Sequence, residues 1–393
     1  MPLAYQFYTE FQSHDPDFDV LKSQAIEPKI SAIRFWPRLP GILHLLTCND
    51  KTIKLWKLAE TRRARPSRTQ NEEEEEAAAP SALRASMRRS FANAHSFNIH
   101  SLSINTDGET FLSADDLKIL LWNVDHGKET FNVVDLQPAD LAETVTELIT
   151  CASFGTEDCH SMLYATSKGV TRLCDLRARC VVDKSGVEMG PDQASLNPPH
   201  LPYFEEITQS VLHASFVGGT QILCRDYLYL RCWDAKMPRR PLYKLPVHPG
   251  VEPHLPRLLE SESLFDHFEC AVGSNGRYFA TGSYANSFYL HDAVGGAGMT
   301  VRARDDSREP CITAMTQRPG APARPDASPT PQELTYDPED FQHTIVKLAF
   351  HPRVSAVAVA GLYKLYLYQR KPHLAAPREE TAAMSVVNGS KSQ

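Results

Sequence analysis

The run His100-Ser-Leu-Ser-Ile104, followed by Thr110-Phe-Leu-Ser113 and then Leu120-Leu-Trp122, decides the fold. Apolar residues stand at its third and fifth places, a turn-prone stretch follows, and two more short apolar runs come after. The same arrangement occurs six times. The other first runs are Ser31-Ala-Ile-Arg-Phe35, Thr150-Cys-Ala-Ser-Phe154, Leu212-His-Ala-Ser-Phe216, Phe268-Glu-Cys-Ala-Val272 and Val346-Lys-Leu-Ala-Phe350. Each third run closes on a bulky residue: Trp56, Trp122, Cys174, Trp233, His291 and Tyr368. From the fifth place to that residue the spacings are 21, 18, 20, 17, 19 and 18. A near-constant core with variable connectors is a repeated supersecondary unit, and its alternating runs read as antiparallel strands.

Three strands, with a fourth in each connector, make one blade of a β-propeller, typically about 40–45 residues per unit in the WD-repeat class. The expected fold is therefore an all-β, WD-repeat β-propeller over residues 1–370 with six recognisable blades. Fourth strands are expected at Thr130–Val134, Cys180–Val182, Leu242–Leu245 and Met299–Ala303, and a short helix within Asp135–Thr150. Ala4–Phe11 looks like a stray strand, expected either to close the sixth blade, since propellers remove exposed edges by joining their termini, or to be the last strand of a blade whose remainder is absent from this chain. Disordered insertions are expected at about 60–90, which holds Arg62-Arg-Ala-Arg65 and the Glu72–Glu76 run, and at 305–338, with five prolines between Pro319 and Pro331. Residues 371–393 read as a disordered tail.

Composition narrows the function. Of 393 residues, 42% are hydrophobic and 23% charged, which excludes wholesale disorder. The net charge of −7 argues against non-specific nucleic-acid binding. Nine cysteines without a CxxC pair suggest reduced thiols. No run approaches the roughly 18 apolar residues of a membrane helix, and the N-terminus lacks a secretory pattern. A cytosolic protein is expected, with a nuclear location left open and neither membrane nor nucleic acid as partner. No His/Cys spacing suggests zinc, Gly295-Gly296-Ala-Gly298 lacks the strand–helix context of a dinucleotide loop, and no nucleophile elbow or phosphate loop occurs. Neither metal nor cofactor is expected, and no catalytic residue is nominated.

Longer runs carry a resemblance. FQSHDPDFDVLKS (Phe11–Ser23), NDKTIKLWK (Asn49–Lys57), and FANAH followed by FLSADDLKILLWN up to Asn123 resemble the 55-kDa regulatory B subunits of protein phosphatase 2A. FNVVDLQPA (Phe131–Ala139), SKGVTRLCDLRA (Ser167–Ala178), CRDYLYLRCWD (Cys224–Asp234), LFDHFEC (Leu264–Cys270) and TGSYANSF (Thr281–Phe288) extend the similarity over five of the six blades. The resemblance implies a non-catalytic specificity subunit that docks on a helical-repeat scaffold subunit, overhangs the catalytic subunit and recruits phosphoproteins with basic flanks through an acidic groove on its top face.

Mapped by motif, that groove includes Asp115 and Asp116, with Val145, Tyr203, Glu260, Glu262 and Phe265 beside them. Carboxylates on rigid strand ends attract Lys and Arg, and exposed aromatics anchor apolar side chains. A turn aspartate also caps backbone amides in such blades. Asp116 shares the frame of Asp50, which makes Asp116 the expected structural member of the pair. Phe265 reads equally well as a buried blade residue, and Trp56, Trp122 and Trp233 read as packing between blades.

The family has a seventh blade at its N-terminus and a β-hairpin arm between the KLWK and FANAH motifs. In this chain that arm is replaced by an Arg-, Glu- and Ala-rich segment of little strand propensity. Val145 and Tyr203 also replace larger or less polar family residues. A diverged WD-repeat scaffold that no longer binds the phosphatase is the alternative, and a propeller hydrolase a third class.

Overall fold

The computed structural model describes residues 9–19, 23–36, 43–61, 82–126, 129–138, 144–177, 186–190, 204–248, 250–294, 296–303, 311–316, 338–361 and 364–369. After a small hairpin, β1 (Asp17–Asp19) with β2 (Gln24–Ile26), the chain builds six antiparallel sheets. Sheet 1 is β3 (Ala32–Trp36), β4 (Leu43–Cys48), β5 (Ile53–Thr61) and β6 (Ala82–Phe91). Sheet 2 is β7 (Ser101–Ile104), β8 (Thr110–Ala114), β9 (Lys118–Asn123) and β10 (Thr130–Asp135). Sheet 3 is β11 (Ile149–Phe154), β12 (Ser161–Thr166), β13 (Thr171–Asp175) and β14 (Val187–Met189).

Sheet 4 comprises β15 (Val211–Gly218), β16 (Gln221–Asp226), β17 (Tyr229–Asp234) and β18 (Tyr243–Pro246). Sheet 5 has a fifth strand: β19 (Cys270–Val272), β20 (Tyr278–Gly282), β21 (Ser287–Asp292), β22 (Ala297–Arg302) and β23 (Cys311–Thr316). Sheet 6 is β24 (Lys347–Phe350), β25 (Ala356–Ala360) and β26 (Leu365–Gln369). This is the six-bladed, all-β propeller that the repeat implies, and all six repeated runs fall on first strands.

Alternation places one face of each strand against the next sheet. Between sheets 1 and 2 lie Trp36, Leu46 and Ile53 against Leu102, Phe111 and Trp122. The ring planes of Phe111 and Trp122 stack at 6.0 Å. Equivalent clusters join sheets 2 and 3 through Cys174, 3 and 4 through Trp233, 4 and 5 through Phe279, and 5 and 6 with Tyr368 against them. Trp122, Cys174, Trp233 and Tyr368, which close their third strands, are thus wedges between sheets, and His291 stacks on Phe279 at 6.1 Å. Trp56 differs: it is not among the residues packed between sheets 1 and 2, meets Phe11 at a tilt with ring centroids 4.8 Å apart, and donates its indole N–H to Ser13 and Thr47.

A second device recurs in register with the repeat. The side chain at the second place of one first strand receives the backbone N–H at the third place of the next. Ser101 accepts from Ala152 at 3.2 Å, Cys151 from Ala214 at 3.1 Å, and His213 Nδ1 from Cys270 at 3.4 Å. From sheet 5 to sheet 6 the second places of both runs hold an ion pair, Glu269 with Lys347.

Several expectations change. The expected disordered insertion at about 60–90 contains β6, which pairs with β5 from Ile53↔Phe91 to Thr61↔Ala82. Segment composition undervalued a strand whose partner was already in place; residues 62–81 lie outside the described residues. Likewise the 305–338 insertion contains β23, hydrogen-bonded along β22. The fourth strand described in sheet 3 is Val187–Met189, and the expected Cys180–Val182 falls outside the described residues. Among the described residues of 135–150 there is no helix, and residues 139–143 lie outside the described residues. Ala4–Tyr8 and the 371–393 tail also lie outside the described residues, and Glu10–Phe11 form no strand.

Candidate protein-binding face

Because every sheet is an antiparallel meander, the connections that precede first strands and those between second and third strands emerge at one end of the propeller. The six fully placed site candidates all lie on these connections: Asp115 and Asp116 on the β8–β9 turn, Val145 before β11, and Glu260, Glu262 and Phe265 before β19. Tyr203 lies outside the described residues.

The two aspartates exchange roles relative to the sequence expectation. Asp115 is fully buried. Its Oδ1 accepts the N–H groups of Leu117 (2.9 Å) and Lys118 (2.7 Å), and its Oδ2 meets His95 Nδ1 at 2.9 Å. His95 Nε2 lies 2.6 Å from Ser113 Oγ, which also receives the indole N–H of Trp122 at 2.8 Å. Burial pushes the Asp115 carboxyl up, but the bonds from His95, Leu117 and Lys118 outweigh it and hold the group at about 2. Asp115 has no free oxygen for a partner. Its counterparts are Asn49 and Asp226, whose Oδ1 atoms accept the same pair of turn amides. Asp116 does align with Asp50, but the capping place is the residue before it in each turn, Asp115 and Asn49. Asp116 is the half-buried member; burial, then Asp115, raises its pKa, against an opposing pull from Lys51.

Phe265 and its acidic neighbours sit on a cap that sequence reading missed. Its helix α1 (Leu255–Glu260) carries Leu at 255, 258 and 259, one face of a helical turn, with Pro256 in the first turn. Six residues form no stable helix alone, so burial holds it. Leu255, Leu258 and Leu264 pack with Tyr227, Phe268, Tyr284 and Phe341. Tyr227 and Tyr284 bring their hydroxyls to 2.7 Å, and Tyr284 donates to the Ser263 carbonyl at 2.7 Å. The chain then reverses through Glu262 at φ 59°, buries Leu264 and leaves Phe265 62% exposed. Phe265 is therefore a surface residue, and Glu260 and Glu262 are exposed beside it in sequence. Val145 and Leu148 are exposed at the same end.

Under the cap lies a buried cation. Arg225 is wholly enclosed; its Nε donates to Thr281 Oγ1 (3.2 Å), its Nη1 to the carbonyls of Asp226 and Tyr227, and its Nη2 lies 2.6 Å from His248 Nε2. His248 Nδ1 reaches Ser283 at 2.9 Å. Burial, then Arg225, keeps His248 neutral, so its Nε2 is an acceptor. Ser283 stands where Asp115 stands in sheet 2, and His248 where His95 stands. A polar residue in each of those frames was the available signal.

The end also carries half-buried or exposed Asp116, Glu206, Glu252, Glu260 and Glu262, against the cations Lys51, Lys168, Arg257 and Lys364. Glu147 is engaged by Arg172 at 2.9 Å. Such a surface offers an aromatic anchor and carboxylates to a protein partner. No group of three or more His, Cys, Asp or Glu side chains able to hold a metal ion occurs among the described residues.

Residues 87–123, which run from β6 through Asp115 to the end of β9, match the WD domain, G-beta repeat family. The fold is similar to the crystal structure of Raptor from Chaetomium thermophilum, with a TM-score of 0.51 and 13% identity over 91% of this chain. The chain spans 26% of that protein's length, and at this identity the likeness concerns the fold. With 834 solved chains matching, the fold does not select a function. The chain is a WD-repeat β-propeller, an architecture that serves as a protein-interaction scaffold.

Proposed function

We propose that the chain is a non-catalytic, substrate-specificity subunit of a protein phosphatase 2A-type serine/threonine phosphatase. It docks on the scaffold subunit beside the catalytic subunit and receives phosphoproteins with basic flanks at the capped end. The observation that carries this reading is Phe265, exposed on a cap whose neighbours Leu264 and Leu258 are fully buried, with Glu260 and Glu262 on either side of the same turn. A rigidly held aromatic anchors an apolar residue of the partner, and the carboxylates select and steer its Lys and Arg.

Two further points support it. The sequence runs that resemble the regulatory B subunits extend over five of the six blades. Among the described residues β5 and β6 are also the longest strands, nine and ten residues, and they flank the place where the resemblance implies an arm that reaches the scaffold. Some of the resembling residues are structural: His95 of FANAH holds Asp115, and Phe11 of FQSH covers Trp56.

Co-elution tests the reading. Purified chain, mixed with the phosphatase scaffold and catalytic subunits, should give a stable three-part complex in size-exclusion chromatography. A folded chain that elutes alone would leave it a propeller scaffold for other partners.

A further inference from the structure

The opposite end of the propeller has a charge pattern that neither net charge nor sequence order displays. There the connections between first and second strands, and between third and fourth strands, emerge together. In sheets 2 and 3 these connections carry exposed Glu109, Asp125, Glu129, Glu157 and Asp158; among their described residues 105–109, 124–126, 129, 155–160, 176–177 and 186 the one exposed Lys or Arg is Arg177, which is paired with Asp175 at 2.6 Å. In sheets 4 to 6 the sign reverses. Lys236, Arg239, Arg240 and Arg353 are exposed, and the last three form no ion pair among the described residues. The acids on that half are already engaged: Asp292 with Arg277, and Asp234 with Thr220 and the Lys236 amide.

The cationic half is rigid and partly apolar. Met237 and Val294 are 60% and 77% exposed. The loop Lys236-Met-Pro-Arg-Arg-Pro-Leu242 is pinned at both ends, by Met237 N–H to Asp234 O (2.8 Å) and Leu242 N–H to Cys232 O (2.7 Å), and stiffened by Pro238 and Pro241. On the acidic half, Phe131 at the start of the outer strand β10 is 61% exposed.

We propose that this end is a self-complementary surface on which a second copy of the chain docks, end to end, about a two-fold axis. The axis lies in the plane of the contact, between the two halves, so that each molecule's sheets 2 and 3 face its partner's sheets 4 to 6. One surface patch serves both molecules, as an isologous dimer requires. Sheets 2–3 and 4–6 occupy opposite sectors of the ring, so both charge contacts form at once. An anionic lipid surface would meet the acidic half as well as the cationic one, and a uniformly acidic or basic partner would be repelled by one of them. The inference is independent of any phosphatase partner.

The test uses the isolated chain and two charge-reversed variants, Arg239→Glu with Arg240→Glu, and Glu109→Lys with Glu129→Lys, all at exposed loop positions. Sedimentation equilibrium at low salt should show wild-type dimer, shifting to monomer as salt shortens the reach of the charges. Each variant alone should associate at least tenfold more weakly, because like charges then face each other twice. Mixed one to one, the variants should recover a heterodimer, since each reversed half meets its complement and each native half does too. A wild-type chain that stays monomeric at low salt, a variant that self-associates as the wild type does, or a mixture that stays monomeric would each overturn the proposal.

Discussion

The thiol of Cys151 on the first strand of sheet 3 accepts the backbone N–H of Ala214 on the first strand of sheet 4, at 3.1 Å and out of reach of water. It is one rung of a ladder that runs Ser101, Cys151, His213, each clasping the next sheet. The apolar wedges join the sheets, and these rungs fix the register at which they join.

Cys151→Val keeps the volume and removes the acceptor. An orphaned buried N–H costs about 1–3 kcal/mol, so the midpoint of thermal unfolding should fall, whereas Cys151→Ser, which retains an acceptor, should lose less. Burial also pushes the Cys151 thiol up to about 12, so thiol reagents should not modify it in the folded protein. Differential scanning calorimetry of both variants decides the first point: equal losses would mean the volume matters and the rung does not.

Asp115 supplies a second outcome. Its carboxyl titrates near 2 in the folded protein, below its ordinary value of 3.8, so it contributes stability that is present above pH 4 and lost as pH falls towards 2. The contribution is of order 2 kcal/mol. Asp115→Ala should flatten that acid limb and lower stability at neutral pH, while Asp116→Lys, half-buried and without turn amides to cap, should be tolerated. Unfolding midpoints between pH 2 and 5 for the two variants separate these roles; a comparable loss for both would return Asp116 to the framework.

The exchange between those aspartates shows how far the sequence could be read. Periodicity located every first strand, because apolar residues at alternate places of a strand must face a neighbouring sheet. Register within a turn is finer than periodicity: Asp115 and Asp116 differ by one residue, and only the positions of the Leu117 and Lys118 amides choose between them. β6 was hidden for another reason. Arg84, Arg88 and Arg89 form a polar edge, and its strand character comes from pairing with β5. The cap was hidden because Leu255 and Leu258 find their partners in Tyr227 and Tyr284, which come from two different turns of the repeat.

A third outcome follows from histidines held neutral. Burial drives His100 and His213 down to about 4, and lowers His248 further with the help of Arg225. A histidine depressed in the folded state takes up its proton more readily when unfolded, so stability is full above about pH 6.5 and falls below it. At pH 5 His100 and His213 should each cost up to about 2 kcal/mol. The unfolding midpoint should therefore drop between pH 7 and pH 5, before the carboxylates titrate. His213→Gln, which keeps a side-chain acceptor for Cys270, should shallow that slope; an unchanged slope would show that His213 does not carry it.

The cap makes the functional prediction. Phe265 is anchored through its neighbour Leu264 and does not itself fill the core, so Phe265→Ala should leave the unfolding midpoint within about 0.5 kcal/mol of wild type. Glu260→Lys with Glu262→Lys should be equally mild, because neither carboxylate forms a described ion pair. Binding should respond differently. Loss of a central aromatic anchor costs about 2 kcal/mol or more, roughly thirtyfold in affinity. The charge reversal should mainly slow association of peptides with basic flanks and erase its salt dependence. Stopped-flow binding of a Lys/Arg-flanked phosphopeptide to the assembled phosphatase complex, with scaffold binding scored in parallel, distinguishes the possibilities. Selective loss of peptide binding places the partner on the cap, whereas peptide binding that survives both variants places it elsewhere on the propeller.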